Sequence, residues 1–256
     1  MKTPQIVSVL FVSIIVMLLG AMYAFAAADP TAPTTLTKGA TSTFDPDNYA
    51  AVNISALAGD ISAVTIVGIS QTRAWQGYYG NVSGYITLDD ADNNTFYNWS
   101  VAEPRGQVYA TLSNSPTWAS VDCAVWAADA ADFHTTYGIN AGDYDNVTNT
   151  YNVTNHPDFQ IASRTVTTCP TTYIWQSDVY QAANFPNFLL QDSTKVAAVD
   201  SWVFGTIMED KDPAEKFDDL LCYNGQYCDF QLLVAEDGHG TDVDVTQYYF
   251  WVDFVG

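Results

Sequence analysis

The sequence predicts a mainly β protein: an antiparallel, β-sandwich-like ectodomain with a short helix and a long loop in its middle, preceded by an N-terminal apolar helix. Three observations support this fold class. Short segments rich in β-branched and aromatic residues alternate with turn-forming clusters. Hydrophobic residues make up 48% of the 256 residues, enough for a packed core. One Ala-rich stretch interrupts the strand pattern near the middle.

Residues 1–28 have the composition of an export leader. Lys2 is followed by an uncharged, strongly apolar run that ends in small residues, and Asp29 and Pro30 come directly after it. This order is typical of a secretory signal peptide. The run is also long enough to cross a bilayer, so an uncleaved N-terminal membrane anchor stays open as an alternative. Both interpretations place the remainder of the chain outside the cytoplasm.

The segment after the leader is rich in Pro and Thr, which predicts a flexible stalk over residues 29–50. A β-sandwich-type extracellular domain is expected over residues 51–256. Its first half contains four predicted strands, each combining β-branched or aromatic residues with a boundary of Gly, Asp, Asn or Pro. These strands cover residues 61–68, 79–88, 95–101 and 107–112, and an acidic cluster at 89–94 supplies a turn.

The middle and the end of the domain differ from each other. Alanine is the best helix former, so the Ala-rich stretch within 120–139 predicts a short helix. The polar, Asn- and Thr-rich residues 140–172 predict a long loop. Strands resume in the last quarter, where the final two are expected to close the domain as a hairpin. These strands are predicted at 196–207, 228–234 and 247–254.

Four cysteines allow three disulfide pairings. An even number in an exported chain favours disulfides over free thiols. The Asn224-Gly225 dipeptide is the preferred sequence of a type I′ turn and favours the pair Cys222–Cys228. Cys123–Cys169 then follows by elimination and would pin the long loop. A zinc site is disfavoured because the chain has no CxxC motif.

Six Asn-x-Ser/Thr sequons predict N-glycosylation of the exported chain. If used, each should mark a solvent-facing loop or strand edge, although unmodified turn residues remain the alternative. The six asparagines are Asn53, Asn81, Asn93, Asn98, Asn146 and Asn152.

The formal net charge is −21, from 8 basic and 29 acidic residues. Such a surface repels phosphate backbones, so nucleic-acid binding is excluded. Calcium is the most credible ion, because hard cations prefer clustered oxygen ligands. Asp89, Asp90 and Asp92 form the best candidate site, with further acidic turns at 45–48, 143–146 and 237–244. None has EF-hand spacing, and Asp is also an ordinary turn residue. Calcium is the only candidate cofactor.

Trp75, Tyr78 and Tyr79 form an aromatic group at the start of a predicted strand. Aromatic faces stack on flat apolar surfaces such as sugar rings. The group is therefore a candidate carbohydrate-binding site. The alternative is that these rings fill the core.

No catalytic constellation is visible in the sequence. The chain has only three histidines, His134, His156 and His239, and each is expected to be a turn or surface residue rather than a base. A two-carboxylate hydrolase stays open, because sequence does not reveal carboxylate spacing in space. We therefore expect a non-enzyme.

Two blocks resemble a known group of proteins. The first runs from Trp75 to Trp99, and the second combines residues 229–238 with residues 248–253. Both are similar to blocks of uncharacterised secreted surface proteins of archaea. The resemblance implies an exported, β-rich archaeal envelope protein and carries over no catalytic residue.

These observations lead to one functional expectation: a structural or adhesive glycoprotein, secreted or held at the cell surface. Its partners would be other surface proteins or glycans, with self-association among the options. The membrane would be a partner through the N-terminal segment if that segment stays uncleaved. A carbohydrate- or calcium-binding surface module is the alternative, followed by the secreted two-carboxylate hydrolase.

Overall fold

The computed structural model describes residues 29–43, 50–101, 104–174, 185–195, 201–208, 221–236 and 245–254. Within these ranges, no helix is long and apolar enough to span a membrane. The predicted N-terminal apolar helix at 1–28 lies outside the described residues, as do the acidic turns at 45–48 and 237–244.

The described chain is mainly β, as the sequence predicts. The strands are β1 (Trp75–Gly80), β2 (Gly84–Asp89), β3 (Thr95–Val101), β4 (Gly106–Thr111), β5 (Val121–Cys123), β6 (Phe159–Ile161), β7 (Arg164–Val166), β8 (Thr171–Tyr173), β9 (Pro186–Asp192), β10 (Trp202–Ile207), β11 (Phe230–Ala235) and β12 (Tyr249–Phe254). The helices are α1 (Trp126–Thr136) and the one-turn α2 (Val147–Thr150), with short 3-10 turns at Trp118–Ser120 and Ser193–Lys195.

A six-stranded antiparallel sheet is the centre of the fold. Its order is β12-β4-β10-β9-β5, and β8 also pairs with β9. Three further pairs, β1–β11, β2–β3 and β6–β7, are two-stranded and antiparallel. β11 crosses the central sheet and contacts β4, β9 and β10. The result is a sandwich-like arrangement in which the β1–β11 ribbon covers one side of the central sheet.

Strands β4 and β9 and most of β10 are buried on both faces, because alternate side chains enter two different cores. Phe204 and Leu189 join a core that also contains Phe133 of α1 and residues of β11. Tyr109 and Phe188 point the other way, into a core closed by β6 and β7. Burial on both faces explains why apolar residues are consecutive at the centre of β9, as in Phe188, Leu189 and Leu190, rather than alternating with exposed polar ones.

The predicted helix is confirmed as α1, and the predicted strand at 95–101 is confirmed residue for residue as β3. The predicted long loop at 140–172 is more structured than expected, since it contains α2 and the β6–β7 hairpin. β9 lies outside every predicted strand. It is fully buried, so its apolar run lacks the alternation that marks a half-exposed strand.

Three strand predictions are wrong. Residues 79–88 do not form one strand, because the two ends of this segment pair with different strands: β1 ends at Gly80 and pairs with β11, and β2 begins at Gly84 and pairs with β3. Residues 61–68 form no strand, because β-branched residues fit a pleated surface only when a partner strand is present. The last two strands do not form a hairpin: β11 pairs with β1, and β12 pairs with β4. The start of the predicted stalk also joins the fold, since Thr31 forms an isolated antiparallel bridge with Val252.

Candidate functional site

The β2–β3 hairpin is the most exposed regular element of the described chain. Asp90 begins its turn, and the Asp90 carboxylate accepts hydrogen bonds from the backbone N–H groups of Asp92 (2.9 Å) and Asn94 (2.8 Å). Asn93 occupies the left-handed region at φ 63°, which Asn tolerates better than most residues. At its other end the hairpin rests on Phe254, whose ring would lie 3.0 Å from a Cβ placed on Gly84. The hairpin therefore projects from the body of the fold.

One face of this hairpin is apolar. Ile86 pairs with Trp99 and Leu88 pairs with Tyr97 in the antiparallel register, so the four side chains share one face. The rings of Tyr97 and Trp99 meet at a centroid distance of 4.8 Å. We call Ile86, Leu88, Tyr97 and Trp99 the apolar hairpin face. Their exposed fractions run from 37% to 56%, so this apolar surface remains open to water.

The opposite face of the hairpin mixes polar side chains with the exposed aromatic rings of Tyr85 and Phe96. Thr87 pairs with Asn98, and Tyr85 pairs with Ser100. Asn98 is one of the six sequon asparagines, and a glycan on its side chain would leave the hairpin on the side away from Trp99. Glycosylation of Asn98 and exposure of the apolar hairpin face are therefore sterically compatible.

Five of the sequon asparagines are exposed, as predicted. These are Asn53, Asn81, Asn93, Asn98 and Asn152. Asn146 is the exception, with 4% of its surface exposed. Its Oδ1 accepts from the backbone N–H of Asn149 (2.8 Å) and caps α2, while its Nδ2 donates to the Ala141 carbonyl (2.7 Å). The predicted solvent exposure is wrong at Asn146, because capping holds this side chain inside the fold.

Trp75, Tyr78 and Tyr79 do not form one aromatic platform. Trp75 stacks on Phe133 at 5.9 Å, and its Nε1 donates to the Asp145 carbonyl at 2.7 Å. The Tyr78 ring also packs against the core beneath α1 and β11. Tyr79 alone is exposed, and its ring contacts Tyr223 edge to face at 5.2 Å. Trp75 and Tyr78 therefore pack against the core, which is the alternative that the sequence left open.

The acidic turn uses its carboxylates within the hairpin. Hydrogen bonds from Thr95 and Thr87 lower the pKa of Asp89, and hydrogen bonds from Asn94 lower the pKa of Asp90. Asp92 contributes its backbone N–H to Asp90. Within the described ranges, no group of three or more His, Cys, Asp or Glu side chains is placed to hold a metal ion. The geometry is that of a side-chain-capped turn.

Both disulfides predicted from the sequence are present. Cys123 and Cys169 join β5 to the segment before β8, with their Cα atoms 4.8 Å apart. Cys222 and Cys228 close a short loop with a Cα separation of 6.0 Å. The type I′ prediction is wrong in detail. Of the two central residues only Gly225 has a positive φ (75°), and its N–H donates to the Cys222 carbonyl at 2.9 Å. A three-residue loop ending in a left-handed Gly accounts for this geometry.

One of the histidines differs from the prediction. His156 is buried, with its Nε2 accepting from the Cys169 N–H at 2.9 Å, which leaves Nδ1 to donate to the Pro157 carbonyl at 2.9 Å. It therefore supports the disulfide-bonded segment rather than lying on the surface. Burial lowers the pKa of His134, whose Nε2 has no hydrogen-bond partner in the part of the chain that the structure describes. His239 lies outside the described residues.

Among the described residues, Asp253 is the carboxyl whose pKa is raised, and sequence reasoning missed it. Burial, with the charge of Asp29 adding to it, raises the pKa of Asp253 on β12 to about 6. Asp253 lies opposite Gln107 in the register, and Tyr109 follows on the same face of β4. Gln107 Oε1 and Tyr109 Oη are both buried, and neither has a hydrogen-bond partner among the described residues.

Comparisons with protein-family models, with curated proteins and with solved structures give no match for this chain.

Proposed function

We propose that the protein is an exported structural or adhesive glycoprotein of the cell surface, and that the apolar hairpin face makes its contacts. The open apolar surface of Ile86, Leu88, Tyr97 and Trp99 is the observation that carries the proposal. Contiguous apolar surface on a projecting element is typical of protein interaction sites. Aromatic residues are also enriched at the centres of such sites.

Energetics supports the same role for the hairpin. A two-stranded hairpin is marginally stable in water, and three strands or a covering element are usually required. β2 and β3 pair only with each other within the described residues. Burial of the apolar hairpin face against a partner would stabilise both the complex and the hairpin itself.

Export is supported by features spread over the whole sequence. The leader at 1–28, two disulfides and six sequons agree with an oxidising environment outside the cytoplasm. The net charge of −21 keeps the protein soluble and opposes binding to phosphate backbones such as those of nucleic acid. We place the protein in an archaeal envelope on the resemblance of its two sequence blocks, with other surface proteins or glycans as partners.

The proposal is tested in two steps. The first is surface labelling of intact native cells, followed by intact mass with and without reduction. This reports leader removal, disulfides and glycans together. A chain found soluble inside the cell with its leader intact would overturn the proposal.

The second step measures binding of purified protein to isolated cell envelopes. Trp99→Ala should weaken binding by about 10-fold or more, as expected for an interface aromatic. The matched control is Tyr144→Ala, which removes another fully exposed aromatic ring outside the hairpin. Equal binding by the two variants would mean that the hairpin makes no contact.

A second candidate function, hydrolysis by two carboxylates, is favoured by one observation: the pKa of Asp253 is raised to about 6. Acids with raised pKa values concentrate at catalytic sites. Loss of glycoside hydrolysis in Asp253→Asn, with an unchanged circular dichroism spectrum, would support this function. A wild-type chain without hydrolytic activity on envelope polysaccharides would exclude it.

A further inference from the structure

A long apolar arm precedes β1. Residues 50–73, which we call the arm, are all exposed and contain no helix or strand. Within the described residues, the hydrogen bonds of the arm's backbone are local: Asp60 N donates to Leu57 O (3.3 Å), and the Ser70 hydroxyl donates to Gln71 O (3.5 Å). The arm first meets the body of the fold at Thr72, whose hydroxyl donates to the Asp145 carboxylate at 2.6 Å. The described chain thus holds an extended segment with free backbone donors and acceptors.

The composition of the arm is that of a strand. Six of the nine residues from 61 to 69 are β-branched, and none is charged or Pro. Ile61, Ile66 and Val67 are each more than four-fifths exposed. An uncharged segment of high β-propensity adds readily to an open sheet edge.

The β2–β3 hairpin offers such an edge. Each of its strands pairs on one side only within the described residues, and β3 is seven residues long and uncharged. An isolated two-stranded hairpin is only marginally stable in water, and a third strand would stabilise it. Within the described residues, the arm has no partner strand and the hairpin has no third strand. Each can therefore supply the hydrogen-bonding partner that the other lacks.

The distribution of charge permits a second copy to be the partner. The full chain carries a net charge of −21, so most surfaces of two copies repel each other. The arm contains one Asp and one Arg, and β2 and β3 together contain one Asp. These two elements are where copies can approach without strong repulsion.

We propose that the 61–69 segment of one copy pairs with the free edge of β3 in a second copy, building a three-stranded sheet between protomers. The inference rests on the proposed structural role and gives it a mechanism. Arm-to-hairpin pairing is a heterologous contact. Each added copy leaves one arm and one hairpin free, so the contact propagates into a filament unless a ring closes. The Asn98 side chain stands perpendicular to the sheet, so a glycan there leaves the edge open.

The first test is sedimentation of the full chain over a concentration series. Wild type should reach a weight-average mass about twofold or more above the monomer value. Ile66→Asp should remain monomeric, because it places a charge within the added strand. Ile54→Asp, with the same change in the same arm but outside 61–69, should associate like wild type. A monomeric wild type, or equal association by both variants, would overturn the inference.

The second test identifies the contact. A photoreactive benzoylphenylalanine at Phe96 is cross-linked in a 1:1 mixture of ¹⁴N- and ¹⁵N-labelled chains. Cross-linked peptides joining β3 to residues 61–69 should include mixed-isotope pairs. Pairs of one isotope alone would place the arm on its own hairpin and contradict the inference. Failure of both tests, with Trp99→Ala still weakening envelope binding, would leave the proposed function standing without this mechanism.

Discussion

The Asn187 side chain on β9 accepts a hydrogen bond from the backbone N–H of Leu233 on β11, with a distance of 2.6 Å between Oδ1 and N. Its Nδ2 donates to the carbonyls of Gln231 (2.9 Å) and Phe185 (3.0 Å). Asn187 is fully buried, so these bonds form without competition from water. One polar side chain thereby fixes the position of the β1–β11 ribbon over the central sheet.

Asn187→Ala should therefore destabilise the fold by about 2–4 kcal/mol, because several buried backbone groups lose their partner together. Urea unfolding should show a lower midpoint for this variant. Asn155→Ala, at an exposed position, is the matched control and should change the free energy of unfolding by less than about 0.5 kcal/mol. Similar losses in the two variants would show that Asn187 does not join the sheets.

Gly205 on β10 is packed directly beneath the ring of Phe188. A Cβ at this position would overlap the ring, and the two residues are direct partners in the register. Gly205→Ala should cost about 1–3 kcal/mol through overpacking. Gly77→Ala on β1 meets no atom within 4 Å and serves as the control. Adding Phe188→Leu to Gly205→Ala should cost less than the sum of the two single changes, as a double-mutant cycle would show.

Local pattern predicts β3 and α1, because each is specified within its own segment. The alternation of Tyr97 and Trp99 with Asn98 has period two, and the Ala-rich stretch has high helix propensity. β9 has neither signal, since both of its faces are buried. Pairing partners also escape local reasoning: β11 pairs with β1 across more than 150 residues, while its sequence neighbour β12 joins another sheet.

The candidate site likewise combines features that the local sequence predicts with features that only the fold reveals. Alternation in β3 reveals an apolar face but predicts that this face lies against the core. Only the fold shows that this face is exposed, because the sequence around Trp99 does not specify which residues pack on it. Asp253 was equally hidden, since the burial that raises its pKa comes from strands distant in sequence. The cysteine pairing was accessible because the Cys222–Cys228 loop is short and local.

The raised pKa of Asp253 makes stability depend on pH. An unfolded Asp has a pKa of about 3.9, whereas that of Asp253 in the fold is about 6. The folded state therefore binds more protons than the unfolded state between these values. The stability contribution is fully present below about pH 4 and is lost as pH rises through about 6. The loss is about 2–3 kcal/mol.

Asp253→Asn removes this titration. Unfolding free energies measured across the window should fall less steeply with rising pH in the variant than in wild type, and the variant should be the more stable at neutral pH. All other carboxyls are shared by the two proteins, so the difference isolates Asp253. Parallel pH profiles would mean that Asp253 titrates in the fold as it does in the unfolded chain.

Two sequons with the same tripeptide, Asn-Val-Thr, provide the sharpest test of glycosylation. Asn146 is buried and Asn152 is exposed, although only six residues separate them. Glycopeptide mapping of the native protein should find glycans on Asn152 and none on Asn146. The physical reason is that Asn146 Nδ2 donates to the Ala141 carbonyl inside the fold and has no room for a sugar. Because the local sequence is identical, only the fold can distinguish the two sites.

Substitution separates the two asparagines further. Asn146→Ala removes the N-cap of α2 and should cost about 1 kcal/mol, without changing the glycan mass. Asn152→Ala should remove one glycan with little change in the stability of the polypeptide. Equal occupancy of both sites would mean that glycans are attached before Asn146 is buried and that α2 forms without its cap. If none of the six sequon asparagines carries a glycan, the glycoprotein assignment is wrong. Even the exposed sequon at the hairpin tip would then be unmodified.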